Sequence, residues 1–139
     1  WSVFFTIEDS QIQNISRITV SPDGTKMSIV GEEAPRFVIE KQLEAYNNRD
    51  INAFVKVYAD DVKVYDYPRN LRYEGVKELR RRYTAFFRNN KDLHCEIIKR
   101  IESGNTIIDE ELVTASGRKI NGVAIYEITN GKISSVTFL

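Results

Sequence analysis

One cysteine and one histidine among 139 residues leave little room for chemistry that depends on either. Cys95 has no partner for an internal disulfide, and with His94 as the sole imidazole no Cys/His group has metal-ligand spacing. A structural zinc site is excluded, and no metal or cofactor is expected. Net charge is also missing: 20 basic residues face 20 acidic ones, so no whole-molecule field draws the chain toward nucleic acid or an anionic membrane. Neither is expected as a partner. No apolar run approaches the length of a bilayer crossing, and no basic segment followed by an apolar one opens the chain. The start at Trp1 instead of Met implies that something upstream was removed or not included, so localisation stays open with the cytoplasm favoured. A Gly-rich phosphate loop, a nucleophile elbow and a dinucleotide fingerprint are all absent.

What is present suits one globular domain of ordinary size, since 42% of the residues are hydrophobic and 29% charged. The first 33 residues read as a β segment. Trp1, Val3, Phe5 and Ile7 alternate with Ser2, Phe4 and Thr6, the period of a strand. Extended runs at 12–20 and 26–30 flank Ser21-Pro22-Asp23-Gly24, where Pro fixes φ and Gly permits the positive φ of a tight hairpin turn.

From Ala34 the period becomes helical, with Phe37, Val38, Leu43, Ala45 and Tyr46 among Glu40, Lys41 and Glu44. Asn47 and Asn48 end this helix. Asp50 is placed to cap a second one, whose apolar stripe is Ile51, Phe54, Val55 and Tyr58. A strand follows at 62–67 and stops at Pro68. Gly75 opens a third helix, with Val76, Leu79, Tyr83 and Phe86 inward. Four strands complete the chain, at 94–101, 106–114, 119–129 and 132–138, the last two joined by Asn130-Gly131, a type I′ hairpin signal. Strands gathered apart from helices predict an α+β fold with an antiparallel sheet, curved around the helices to enclose a small apolar pocket.

Residues 5–12 with Ile15 follow the pattern of residues 126–133 with Val136, so the N-terminal segment is either the tail of an earlier repeat or merely another amphipathic hairpin.

The element order, the stretch Tyr46-Asn47-Asn48-Arg49-Asp50 leading into Tyr58-Ala59-Asp60-Asp61-Val62-Lys63-Val64-Tyr65-Asp66, then Tyr73-Glu74-Gly75 and Asn130-Gly131-Lys132-Ile133, resemble the SnoaL-like branch of the nuclear transport factor 2 superfamily. That superfamily includes the ketosteroid isomerases. The resemblance spans residues 36–139 and implies a cone-shaped sheet around three helices. The activity it implies is open, because the fold hosts isomerases, dehydratases, epoxide hydrolases, cyclases and proteins without catalysis.

Asp66 is the foremost candidate site residue. Alternation puts Val62, Val64 and Asp66 on one face of their strand. A carboxylate that extends an apolar face is poorly solvated, which raises its pKa above the roughly 3.9 of free Asp toward values useful for proton transfer. The resemblance implies the role of general base, and the competing reading is a turn cap before Tyr67-Pro68. The oxyanion-binding tyrosine of the ketosteroid isomerases falls on Gln42 and their second aspartate near Ala124, so neither oxyanion donor carries over and a true steroid isomerase is not expected. Tyr83 matches a pocket tyrosine of that family, and Tyr126 shares the inward face with Ala124 and Ile128, so either hydroxyl is a candidate donor.

Glu110 lies with Ile108 and Leu112, while Ile107, Asp109, Glu111 and Val113 take the opposite face. If Glu110 faces inward it pairs with Asp66; if outward it is a surface or interface charge, the reading with fewer assumptions. The helices and first strand contribute Gln42, Tyr46, Phe54, Tyr58, Val62, Val64 and Phe86 to the predicted pocket. Leu112, Ala124, Val136 and Phe138 close it from the later strands.

His94 is placed near the pocket mouth, and Arg80-Arg81-Arg82 reads as a solvated helix face near Glu78. A limonene-type epoxide hydrolase would need an Asp-Arg-Asp set that is not evident. The leading expectation is a small-molecule protein performing cofactor-free proton transfer on a hydrophobic substrate, as an isomerase or dehydratase. The alternative is a noncatalytic ligand-binding or assembly module. Two apolar faces on the strand at 107–113 predict a homodimer through the outer face of the sheet.

Overall fold

The computed structural model describes residues 34–139 in full, together with the backbone of two short strands before them. Those strands, β1 (Arg17–Val20) and β2 (Met27–Val30), pair antiparallel with Arg17 opposite Val30 and Val20 opposite Met27. The expected hairpin is therefore present in its ladder. Its turn, the strand expected at 1–7 and the first half of the suspected repeat lie outside the described residues.

Helix α1 (Pro35–Asn47) starts with Pro at its first turn, where a missing N–H is harmless, and buries Val38, Ile39, Gln42 and Ala45 along one stripe. Helix α2 (Ile51–Lys56) is capped by the Asp50 side chain, which accepts from the Ala53 N–H at 3.2 Å, and buries Phe54 and Val55. Strands β3 (Tyr58–Asp66) and β4 (Asn70–Glu74) precede α3 (Val76–Asn89), and then come β5 (His94–Ser103), β6 (Thr106–Ala115), β7 (Arg118–Thr129) and β8 (Lys132–Phe138).

The six strands run in the order β4-β3-β8-β7-β6-β5. All neighbours are antiparallel except β3 and β8, which are parallel. Two expectations are corrected here. The sheet is not wholly antiparallel, because the chain returns through five later elements to lay β8 beside β3. Strand β4 was not expected, since four of its five residues are exposed and carry no apolar alternation. The β7–β8 turn forms as expected, with Asn130 at φ 52° and Gly131 at φ 76°, the left-handed pair that a two-residue hairpin requires.

The helices lie against the concave face, and the core joins α1, α2 and α3 to β3, β6, β7 and β8 through Ile39, Phe54, Val62, Leu79, Ile107, Ala124 and Ile133. Aromatics dominate its centre. The Phe54 ring lies 4.6 Å from Tyr83, 5.0 Å from Tyr58 and 5.3 Å from Phe87, and Tyr46 packs edge-on against Phe87 at 5.7 Å.

Candidate active site

Strand β6 places the chemistry. Ile107 and Asp109 are fully buried on its concave face, and Glu111 follows two residues later on the same side. Glu110 and Leu112 consequently point to the convex face. The inward alternative for Glu110 is corrected, as is the placement of Leu112 in the pocket. The concave carboxylates of this strand are Asp109 and Glu111.

These two neighbours are treated differently by their surroundings. Asp109, only 1% exposed, takes a bidentate pair of hydrogen bonds from Arg100 on β5, at 2.6 Å from Nε and 2.9 Å from a terminal nitrogen. Arg100 also reaches Glu40 of α1 at 3.6 Å, so the pair ties the edge of the sheet to the first helix. Glu111 has no such cation. Its Oε2 accepts from the Tyr126 hydroxyl at 3.3 Å, and the Cys95 thiol adds a second hydrogen bond.

Burial raises the Glu111 carboxyl from its ordinary 4.5 to about 7, with the charge of Asp109 adding to the rise and the two hydrogen bonds and Arg100 opposing it. Across the β6–β7 ladder Glu111 faces Gly122, where a side chain would meet nothing within 4 Å. The position opposite Glu111 on the neighbouring strand therefore carries no side chain.

Hydroxyls surround this group. Tyr58, Tyr83 and Tyr126 are held protonated far above the usual phenol range, chiefly by burial, and Tyr46 is raised in the same way. All four remain neutral donors at physiological pH. Gln42 donates from its amide nitrogen to the Tyr58 hydroxyl at 3.1 Å and so orients it. Cys95 is pushed up to about 12 by burial and by Glu111, which removes it as a nucleophile.

The other expected residues fall as follows. Phe54, Tyr58, Val62, Val64, Ala124, Tyr126 and Val136 are buried on the concave side, and Tyr83, Phe86 and Phe138 pack against them. They fill the interior more than they enclose a hollow. Asp66 is corrected: its side chain is 56% exposed and lies 3.5 Å from Arg72. Alternation did put it on the face of Val62 and Val64. It is the final residue of β3, however, opposite Phe138 at the rim, where that face runs out past the core into solvent. His94 is likewise exposed.

A recess of about 250 Å³ opens at this rim, lined by Tyr46, Arg72, Tyr73, Arg82, Tyr83 and Phe86. Asp66 is not part of its lining. Among the described residues no group of three or more His, Cys, Asp or Glu side chains is placed to hold a metal ion, and no helix is long and apolar enough to cross a membrane.

Sequence reasoning had Glu111 in view and passed over it. Its signal, a face shared with Ile107 and Val113, was no stronger than that of Glu110 between Ile108 and Leu112, and only the covering helices separate the two.

Comparison with known proteins agrees with this architecture. Residues 39–136 match the SnoaL-like domain family. A sequence search of curated proteins finds no match. Among solved structures, an uncharacterized cystatin-fold protein from Novosphingobium aromaticivorans superimposes with a TM-score of 0.71 at 24% identity, covering 76% of this chain and 97% of that one. A candidate ketosteroid isomerase from Kribbella flavida gives 0.65 at 21% identity over 75% of each chain. A candidate polyketide cyclase from Sinorhizobium meliloti gives 0.64 at 17% identity over 74% of this chain and 94% of its own. At these identities the structural likeness speaks for the fold alone. With the family matched over most of the described domain, and helices cradled in a curved six-stranded sheet, the chain belongs to the SnoaL-like family.

Proposed function

We propose that the domain is a cofactor-free acid–base site for a small hydrophobic molecule, of isomerase or dehydratase type, with Glu111 as the group that takes up and returns the proton. One observation carries this reading: a concave carboxyl with a pKa of about 7, bonded by Tyr126 and facing an open position at Gly122. A group balanced between its two protonation states at working pH is the most effective shuttle, because neither accepting nor releasing the proton is penalised. Once Glu111 has taken up the proton it can donate back to the Tyr126 oxygen, which frees the neutral Tyr126 hydroxyl to donate to an oxygen that gains charge as the carbon acid loses its proton. Asp66, solvated and paired with Arg72, is assigned no part in the proton transfer.

The test is deuterium uptake at the acidic carbon of a panel of hydrophobic ketones incubated with the protein in heavy water. Exchange above the buffer rate is expected, with a loss of about 100-fold or more in Glu111→Gln. Gly122→Val should lower exchange as well, by setting a side chain opposite Glu111 on the neighbouring strand, while leaving the fold intact. Equal exchange in parent and Glu111→Gln would remove the proposal.

A second reading, a noncatalytic binding or assembly module, is favoured by the aromatic packing of Phe54, Tyr58, Tyr83 and Phe87, which leaves a recess of about 250 Å³. It predicts ligand binding at the rim without exchange by any ketone.

The convex face is proposed to bind a second copy of the chain. Ile101, Ile108, Ile125, Thr137, Tyr65 and Leu71 stand opposite one another in register, one from each strand, and form a row across the sheet in which four of the six side chains are aliphatic. Such a row is its own complement under two-fold symmetry. Ile108→Lys should convert a dimer to a monomer in sedimentation, and a monomeric parent at micromolar concentration would refute the assignment.

A further inference from the structure

We infer that the rim recess selects ligands carrying an anionic head, a carboxylate on an apolar body, and that Arg72 and Arg82 are the residues that read the charge. The inference deepens the reading of the cone as a small-molecule site and rests on it.

Three observations support it. The first is how the local backbone places the two arginines. Between Val64 and Tyr65 of β3 the ladder with β4 skips a residue: Val64 faces Tyr73 and Tyr65 faces Leu71, so Arg72 is the extra residue of a bulge. A bulge turns consecutive side chains toward the same side. Arg72 and Tyr73 accordingly both line the recess. Arg82 arrives from the opposite wall on α3 and lies over the Tyr73 ring at 4.2 Å, while Arg72 lies 5.9 Å over Phe138. Stacking on the rings fixes two flexible cations beside an aromatic hollow.

The second observation is the charge balance. Asp66 pairs with Arg72, and Glu78 is shared by Arg81 and Arg82, so three guanidinium groups are served by two carboxylates. Glu78 is held down at about 2 by its two arginines and contributes a full negative charge. One positive charge remains.

The third is which donors are used. Arg72 meets Asp66 through Nε at 3.5 Å, and Arg82 meets Glu78 through Nε at 2.8 Å. The terminal nitrogens of each guanidinium, the fork that matches a carboxylate, are not engaged by these contacts. The aromatic rings of Tyr46, Tyr83 and Phe86 complete the lining. A ligand anchored by its head at the rim would lay its apolar body against these rings.

The test compares naphthoate with naphthamide, which have the same ring system and differ in charge, by calorimetric titration of the full chain. Naphthoate should bind about tenfold or more tightly, the ratio expected of a charge-assisted hydrogen bond. Arg72→Met and Arg82→Met should each erase most of that preference, weakening naphthoate binding by a larger factor than naphthamide binding, and Arg82→Lys should restore part of it. Equal affinity for the two probes, or a preference that survives both methionine variants, would overturn the inference.

The outcome is separable from the fate of the acid–base proposal. Glu111→Gln should keep the naphthoate preference, so charge selection without ketone exchange would sink the catalytic reading alone. Ketone exchange without charge selection would sink this one alone.

Discussion

Glu111 and Asp66 are both carboxylates on the concave face of one sheet, yet one is desolvated beside four tyrosines and the other stands 56% exposed against an arginine. Which face a side chain occupies is therefore only half of its environment. How far along the strand it sits relative to the end of the core decides the rest. Asp109 adds a third case, fully buried but paired with a bidentate arginine. Depth without a cation produces a titrating group, depth with one produces a strut, and a rim position produces an ordinary surface charge.

The strongest way to break this comparison is to take the cation from Asp109. Arg100→Leu leaves a buried carboxylate without its partner, and urea denaturation should register a loss of about 3 to 5 kcal/mol. A loss no larger than that of a surface substitution would mean that solvent reaches Asp109.

Glu111 should respond in the opposite sense. Its folded-state pKa of about 7 lies above the ordinary 4.5, so the native state holds the proton more tightly than the unfolded chain does. Stability is then full at pH below the unfolded value and is lost as pH rises through the folded one. A shift from 4.5 to about 7 corresponds to on the order of 3 kcal/mol. Glu111→Gln should thus stabilise the protein by up to that amount at about pH 8 and by almost nothing at about pH 4. Thermal denaturation across that range checks the sign, and a gain that is independent of pH would contradict it.

The smallest effect belongs to Asp66→Asn. An exposed ion pair is worth about 1 kcal/mol or less, and the variant should change neither stability beyond that nor ketone exchange. A large loss of exchange would return the proton-transfer role to Asp66.

Most of the architecture was legible because it is local. Helical periods in α1 to α3, alternation in β5 to β8, the Asp50 cap and the Asn130-Gly131 turn are each decided within a few residues. Strand β4 was illegible for the complementary reason: it is exposed and held by its ladder to β3, not by an apolar face of its own. The parallel pairing of β3 with β8 joins segments separated by most of the domain, and nothing within either one specifies its neighbour.

At the site, alternation correctly divided β6 into Ile107-Asp109-Glu111 and Ile108-Glu110-Leu112. It gave no means of ranking the two faces until the helices covered one of them. The two-sided apolar character of that strand is what obscured the choice. For Asp66 the face was right, and what a sequence pattern does not encode is the distance from the last covering side chain.

The place of β8 has a consequence for how the chain is made. Of the six strands in the sheet it leaves the ribosome last, yet it sits between β3 and β7 and bonds to both. Until those seven residues emerge, a nascent chain can build only a β3–β4 ribbon and a β5–β6–β7 ribbon with no seam between them. Closure of the sheet is thereby deferred until β8 has been made, and a copy stalled before it lacks the strand that joins the two ribbons.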